Sequence, residues 1–232
     1  MTYNLLLSSA VDGLNTIVQE ESPDVIAVQE IKTNKEILLG SFPSNYELAD
    51  FSFCLINKGN LFGIATYYDQ TKLDLIATQT HKLPFSCSDF LILLVLGRNI
   101  PLTMLKPLFE DKKTKKQFYF YNLHLSPYAG NGIRKKQMKE AFDYVEEDMP
   151  TIITGDFNFP YLRRDFEKIM KQFHLREATH TIDYSFRRKF MGFLPLNFKL
   201  DYILYKNIDH LTTRRLDHQF SDHFPLVADF DY

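Results

Sequence analysis

Six short segments of this sequence set a polar side chain able to bind metal or move protons at the edge of an apolar run. Asn4 lies in Thr2-Tyr3-Asn4-Leu5, and Glu30 closes Val28-Gln29-Glu30. His124 lies in Asn122-Leu123-His124-Leu125, and Asp156 and Asn158 lie in Thr154-Gly155-Asp156-Phe157-Asn158. Asp201 lies in Leu200-Asp201-Tyr202, and Asp222 and His223 lie in Ser221-Asp222-His223-Phe224. Ionised carboxylates beside strand ends are costly unless a cation or a donor compensates them. One such aspartate is an ordinary cap. Several imply that the strands deliver acids to one place. Carboxylate, amide and imidazole without thiolate suit a hard cation, Mg²⁺ or Mn²⁺. Such an ion neutralises phosphate charge and polarises an ester for attack by water.

The elements that would position these residues alternate along the chain. Thr2 to Leu7 reads as a short strand, and Leu14, Ile17 and Val18 fall at helical spacing after Asp12. Asp24 to Gln29 carries an unbroken apolar run, the pattern of a strand buried on both faces. From Phe51 to about Leu108, β-rich runs (Phe51–Ile56, Leu61–Tyr68, Leu73–Thr80, Phe90–Leu96) are separated by turn chemistry such as Lys58-Gly59-Asn60, an antiparallel meander. Gln117 to Leu125 and Thr151 to Thr154 read as strands. Two helices are expected, with Met138, Ala141, Phe142 and Val145 facing inward on one and Phe166, Ile169, Met170 and Phe173 on the other. Leu200 to Tyr205 and Phe224 to Phe230 close the chain as strands. The architecture that fits is α/β, a four-layer sandwich of two packed mixed or antiparallel sheets flanked by helices. A doubly wound parallel sheet is the alternative, and the long meander counts against it.

Composition bounds the partners. The 232 residues suit one domain over residues 1–232, with 45% hydrophobic and 24% charged residues. Aromatic residues reach 15%, with Phe 21, Tyr 13 and no Trp, enough for a large core without disulfides. The net charge of -2 excludes binding to nucleic acid by bulk charge, so a polyanionic substrate would be met by local basic patches and by metal. Cys54 and Cys87 have no metal-ligand spacing. No basic stretch followed by an apolar one opens the chain, and no apolar run is long enough to span a bilayer. A cytoplasmic monomer without an obligate protein partner is expected, although Met1 lies so close to the first strand that a preceding targeting or anchor segment is compatible with the sequence.

In order, Tyr-Asn, Gln-Glu, His-Leu, Gly-Asp-Phe-Asn, Leu-Asp-Tyr and Ser-Asp-His resemble the endonuclease/exonuclease/phosphatase superfamily, which includes DNase I-like nucleases, sphingomyelinases and inositol-polyphosphate 5-phosphatases. Each match alone is weak; together they run from Asn4 to His223 and are specific. The resemblance implies a divalent-metal-dependent phosphoester hydrolase. It implies that Glu30 is the main metal-binding carboxylate, with Asn4 beside it and Asp222 assisting. It makes Asp156 the residue that orients or deprotonates the attacking water, and Asn158 a donor to phosphate or nucleophile. It makes His223 a contact to the scissile phosphate, with Asp201 fixing its ring, and His124 a second donor to the phosphate or leaving group. Tyr3 stands where the family usually has tryptophan.

Taken singly, these residues have bland explanations. Asn4 suits a turn, Glu30 a strand-end surface acid, Gly155-Asp156-Phe157-Asn158 an ordinary turn, and His124 a satisfied core histidine. The substrate is less legible than the reaction. Arg187, Arg188 and Lys189 adjoin Phe190, Met191, Phe193, Leu194 and Phe198 just before Asp201, and Arg134 follows His124 at the start of a helix. Interleaved basic and aromatic residues suit single-stranded or distorted nucleic acid, the favoured substrate class. They also suit a membrane interface presenting a lipid phosphodiester. A loop folded over the core is as good a reading as either. Inositol phosphates are disfavoured by the lack of expanded basic phosphate-reading motifs, and a catalytically silent binding module by the retention of every motif acid.

Overall fold

The computed structural model describes residues 1–40, 42–85, 102–127, 129–191 and 193–231. Two sheets lie face to face. The first has the order β15-β16-β1-β2-β4-β3, built from β1 (Thr2–Asn4), β2 (Val25–Lys32), β3 (Tyr46–Asn57), β4 (Asn60–Asp69), β15 (Asp209–Arg215) and β16 (Leu226–Asp231). The second has the path β11-β14-β10-β9-β7-β6: β6 (Thr80–Lys82), β7 (Thr103–Leu105), β9 (Gln117–His124), β10 (Thr151–Asp156), β11 (Arg176–Glu177) and β14 (Asp201–Lys206). Two further strands join it, β5 (Leu73–Ala77) pairing with β8 (Leu108–Asp111), and β8 with β9. A separate hairpin is formed by β12 (Phe186–Phe190) and β13 (Leu194–Phe198).

Three apolar clusters define four layers. Helix α1 (Val11–Glu21) lays Leu14, Ile17 and Val18 on the outer face of the first sheet, against Tyr3, Ile26, Val28 and Tyr67. The space between the sheets is filled by Ala27, Tyr68, Phe109, Phe118, Phe120, Ile203 and Leu226. Helices α3 (Asn131–Asp143) and α4 (Arg163–Gln172) cover the second sheet, packing Met138, Phe142, Phe166 and Ile169 on Tyr121, Leu123 and Ile153. This is the expected α/β sandwich. The helical spacings around Leu14, Met138 and Phe166 therefore mark true inward faces.

Other expectations are corrected. The first strand stops at Asn4 instead of Leu7, because Leu6, Leu7 and Ser8 all take left-handed φ values of 46°, 54° and 64° and turn the chain into α1. The stretch after Phe51 is antiparallel but is not one meander. β3 and β4 stay in the first sheet, while β5 to β8 belong to the second. Leu73–Thr80 is broken into β5 and the start of β6. The strand expected at Phe90–Leu96, and Cys87, lie outside the described residues. The short helix α2 (Lys35–Gly40) and strand β15 carried no sequence signal strong enough to read. Among the described residues, no helix is long and apolar enough to cross a membrane.

A buried polar bridge locks the sheets together. Gln29 Nε2 donates to Asn122 Oδ1 at 2.9 Å, and Asn122 Nδ2 donates to the Ala65 carbonyl at 2.9 Å. Gln29, Asn122 and Thr66 are all buried, so every bond lost there leaves a desolvated group unpaired. At the outer edge Glu177 binds Arg163 and, at 2.7 Å, Lys199. Burial would raise the Glu177 carboxyl, but the hydrogen bonds from Arg163 and Lys199 outweigh that and hold it below its ordinary value.

Gly155 fixes how closely β10 approaches β9. Its φ is +139°, and a Cβ there would lie 1.9 Å from the Leu123 carbonyl oxygen. Backbone must move to relieve that clash. Gly155→Ala is expected to cost about 3 kcal/mol in urea unfolding, from overlap plus an unfavourable φ. A loss below about 1 kcal/mol would mean that the two strands have room to separate.

Candidate active site

The site is built where the sheets end together. β10 runs parallel to β9 and antiparallel to β14, and the register sets Asp156 opposite His124 on one side and Asp201 on the other. One row across three strands thus carries His124, Asp156 and Asp201. In the facing sheet, β1 runs parallel to β2 with Asn4 opposite Gln29, one residue before Glu30. Glu30 sits at a β-bulge, where the pairing with β4 shifts between Gln29 and Ile31, and has a φ of 58°. The bulge re-aims its carboxylate inward, a common use of such irregularities near functional sites. The left-handed turn after β1 then clamps the site. Leu6 N–H donates to Asn4 Oδ1 at 3.0 Å, and Leu7 N–H donates to Glu30 Oε2 at 3.1 Å.

Asp156 Oδ2 is the hub. It accepts from Asn4 Nδ2 at 3.0 Å, and it lies 3.6 Å from His124 Nε2 and 3.8 Å from His223 Nε2. Its other oxygen accepts the Asn158 N–H at 2.8 Å, made possible by a left-handed Asn158 at φ 48°. Asn4 Nδ2 also reaches Glu30 Oε1 at 3.3 Å, so one amide spans two carboxylates contributed by different sheets. His223 Nδ1 meets Asp201 Oδ2 at 2.7 Å, and its ring stands edge-on to Phe186.

Burial pushes the Asp156 carboxyl up to about 6; the charge of Asp201 adds to the rise, and His223 and His124 oppose it. Burial would depress the His223 imidazole, but Asp201, acting by charge and hydrogen bond, prevails together with Asp156 and Asp222 and raises it to about 10. Asp222 is half-buried. Its carboxyl is raised by burial and by Glu30, against the pull of His223 and Arg188. Four acids therefore share this end of the sandwich with two histidines. His124 Nε2 and Asp201 Oδ1 are buried without a hydrogen-bond partner among the described residues.

These observations fit a hard cation. Acids held above their ordinary pKa want positive charge nearby, and the donor set is oxygen and imidazole. Cys54 Sγ lies 3.8 Å from His124 Nδ1, but burial holds its thiol well above its ordinary value, so it offers no thiolate. The tightest acid–histidine group, Asp156, Asp201 and His223, has ligand atoms within 4.8 Å of one another. The hydrogen bond between Asp201 and His223 accounts for that closeness. Glu30 Oε1, which shares the Asn4 Nδ2 amide with Asp156, is a further oxygen that could reach an ion beside this group.

The remaining candidates lie at the rim. Arg134 Nε donates to the Ser126 carbonyl at 2.8 Å and its Nη2 to the Pro127 carbonyl at 2.9 Å, bracing the loop after His124. Arg187 bonds Asn197 and the Tyr184 hydroxyl and stacks on Tyr184 and Phe224. Arg188 is exposed, and its charge reaches Asp222. Supporting residues that the sequence did not single out are Gln29 and Asn122 beneath the site and Ser185, whose Oγ accepts the Leu200 and Asp201 N–H groups at 3.0 and 2.9 Å. Asn122 had a signal, a polar residue inside an apolar strand two positions before His124. Ser185 had none.

The chain belongs to the endonuclease/exonuclease/phosphatase family, whose pattern it matches over residues 1–223. No curated protein matches its sequence. Among solved structures it is similar to an endonuclease/exonuclease/phosphatase from Bacteroides vulgatus, at 18% identity and a TM-score of 0.76, covering 99% of this chain and 97% of that one. It is similar to the mannosyl-6-phosphatase of Bacteroides thetaiotaomicron, at 17% identity and 0.75, covering 100% and 98%. It is similar to the human Nocturnin catalytic domain with bound sulfate, at 17% and 0.75, covering 99% and 92%. At these identities the likeness establishes the shared DNase I-like α/β sandwich.

In the metal-free protein, His223 should remain protonated through neutral pH. Its folded value is raised from the ordinary 6.5 to about 10, so the stability it contributes is full below 6.5 and lost as pH climbs through 10. An NMR titration of the histidine ring protons should find one late-titrating histidine that moves to lower pH in Asp201→Asn. A His223 that titrates near 6.5 in the unaltered chain would contradict the assigned pairing.

Proposed function

We propose that this chain hydrolyses a phosphoester by in-line attack of water, with Asp156 as the base. The reading rests above all on one observation: Asp156 Oδ2 lies within 4 Å of an amide from β1 and of imidazoles from β9 and from the segment before β16. A carboxyl held near 6 is matched to accepting a proton close to neutral pH. The Asn158 N–H holds that carboxylate in place as it takes the proton from water.

Negative charge builds on the phosphoryl oxygens as the water attacks. His223, kept protonated by Asp201, donates to one of them, and His124 Nε2, which has no hydrogen-bond partner among the described residues, donates to a second oxygen or to the leaving group. His124 is fixed beforehand by strand register and His223 by its bond to Asp201, so little reorganisation accompanies the reaction. Glu30 and Asn4, with Asp222, would hold Mg²⁺ or Mn²⁺, which supplies charge neutralisation and polarises the ester.

The substrate side is read from the rim. The nucleic-acid reading rests on Arg187 and Arg188 with their neighbouring aromatics. Arg187 and Arg134 are engaged in bonds of their own, which leaves Arg188 as the rim arginine open to solvent. The phospholipid reading is favoured by the apolar tip of the β12–β13 hairpin.

Purified protein should hydrolyse members of a panel of soluble phosphodiesters, oligonucleotides and phospholipids with Mg²⁺ or Mn²⁺, and lose that activity in EDTA. Asp156→Ala and His223→Ala should each lower kcat by about 10²–10⁴-fold while circular dichroism remains that of the parent. Activity within twofold of the parent in either folded variant would refute the assignment.

A further inference from the structure

The β12–β13 hairpin is the part of the molecule least accounted for by folding. It forms a two-stranded sheet of its own, in register from Phe186 opposite Phe198 to Phe190 opposite Leu194. An isolated hairpin is marginal in water and needs packing to persist. Its base has that packing. Phe186 bridges to His223, Arg187 N–H donates to the Asp222 carbonyl at 2.7 Å, and Phe224 N–H donates to the Ser185 carbonyl at 2.7 Å. Among the described residues, its far end does not. Met191 is 74% exposed, Phe193 76% and Leu194 50%. Beside its base, Tyr161 and Leu162 are 62% and 56% exposed, and the Tyr161 ring lies 5.8 Å from that of Phe198.

The charges on this element are one-sided. Residues 186–199 contain Arg187, Arg188, Lys189 and Lys199 and no acid, in a chain whose net charge is -2. Arg188 and Lys189 are exposed and stand just behind the apolar tip. Apolar side chains in front and a basic collar behind are what an anionic bilayer surface selects: the tip enters the headgroup boundary and the cations meet the lipid phosphates.

Two other occupants fit less well. Single-stranded nucleic acid binds by stacking bases on flat rings. Among the described residues, the exposed apolar side chains Leu162, Met191 and Leu194 offer no ring. A second copy of the chain would bring one acid-free basic hairpin against another.

We propose that the β12–β13 hairpin docks the protein on anionic membranes through Met191, Phe193 and Leu194, with Arg188 and Lys189 at the headgroups, so that the site takes phosphoesters presented at that surface. The substrate part rests on the phosphoester-hydrolase reading; the docking part does not. Phe186 and Arg187 at the hairpin's base touch His223 and Asp222, so the element that docks is joined directly to the acid cluster.

The chain has no tryptophan, which makes a direct test simple. Phe193→Trp should show a blue-shifted emission, quenched by brominated acyl chains, when vesicles of phosphatidylcholine with phosphatidylserine are added. Vesicles of phosphatidylcholine alone, or high salt, should weaken the shift. In flotation with the mixed vesicles, Met191→Asp combined with Phe193→Asp should lower binding about tenfold or more, from lost apolar burial and added repulsion. Thermal unfolding should be unchanged, as should metal-dependent hydrolysis of a soluble bis-aryl phosphate. Met191→Ser combined with Phe193→Ser should fall in between. No emission shift, or flotation that is equal in parent and aspartate variant, would overturn the proposal. So would tip-dependent binding to a single-stranded oligonucleotide with no vesicle binding, or a tip-dependent dimer in gel filtration. Flotation with no hydrolysis of any phosphoester would overturn the reaction instead and leave docking standing.

Discussion

The cost of burying the Asp156 carboxylate organises this end of the molecule. A lone ionised acid with almost no solvent contact is strongly disfavoured. Here it is surrounded by an amide from β1, imidazoles from β9 and from the segment before β16, and its neighbour's backbone N–H. Those partners reduce the cost without removing it, since the carboxyl still sits near 6. The residual imbalance is what a cation or a proton from water would relieve. Reactivity and instability at this site thus have a common origin.

The rest of the fold holds that imbalance in place. Gln29 and Asn122 tie the sheets together just below the acids, so the end of the first sheet cannot drift from the row His124–Asp156–Asp201. Gly155 lets β10 approach β9 closely enough for that row to form. The bulge at Glu30 and the three left-handed residues Leu6, Leu7 and Ser8 spend backbone strain on aiming a carboxylate and clamping it with N–H donors. Strain of this kind persists only where surrounding structure over-determines it, and it gathers at functional sites.

Much of this was legible in the sequence because strand ends announce themselves. A polar residue closing an apolar run reads the same in one dimension as in three, which is why Asn4, Glu30, His124, Asp156 and His223 could be named from their places at strand ends together with the family resemblance they carry, and then found within one constellation. Apolar periodicity likewise gave the inward faces of α1, α3 and α4. Sheet membership was not legible. β5 and β8 carry the same alternation as β3 and β4, and alternation states which face is buried, not which sheet owns the strand. The β12–β13 hairpin was hidden for the opposite reason. Met191, Phe193 and Leu194 at its tip face solvent, so no regular buried pattern marks it as paired strands. The bulge at Glu30 has no glycine to signal it, and Ser185 acts through a single hydroxyl that any loop serine shares.

On the proposed reading, Glu30 and Asn4, with Asp222, would hold a hard cation beside the base Asp156. Crystals soaked in Mn²⁺, with data collected at the manganese absorption edge, test it most directly. An anomalous peak is expected beside the Glu30 carboxylate, next to Asn4 and Asp156, and should disappear in Glu30→Ala. A peak confined to surface acids away from Glu30, or none at millimolar Mn²⁺, would contradict that reading.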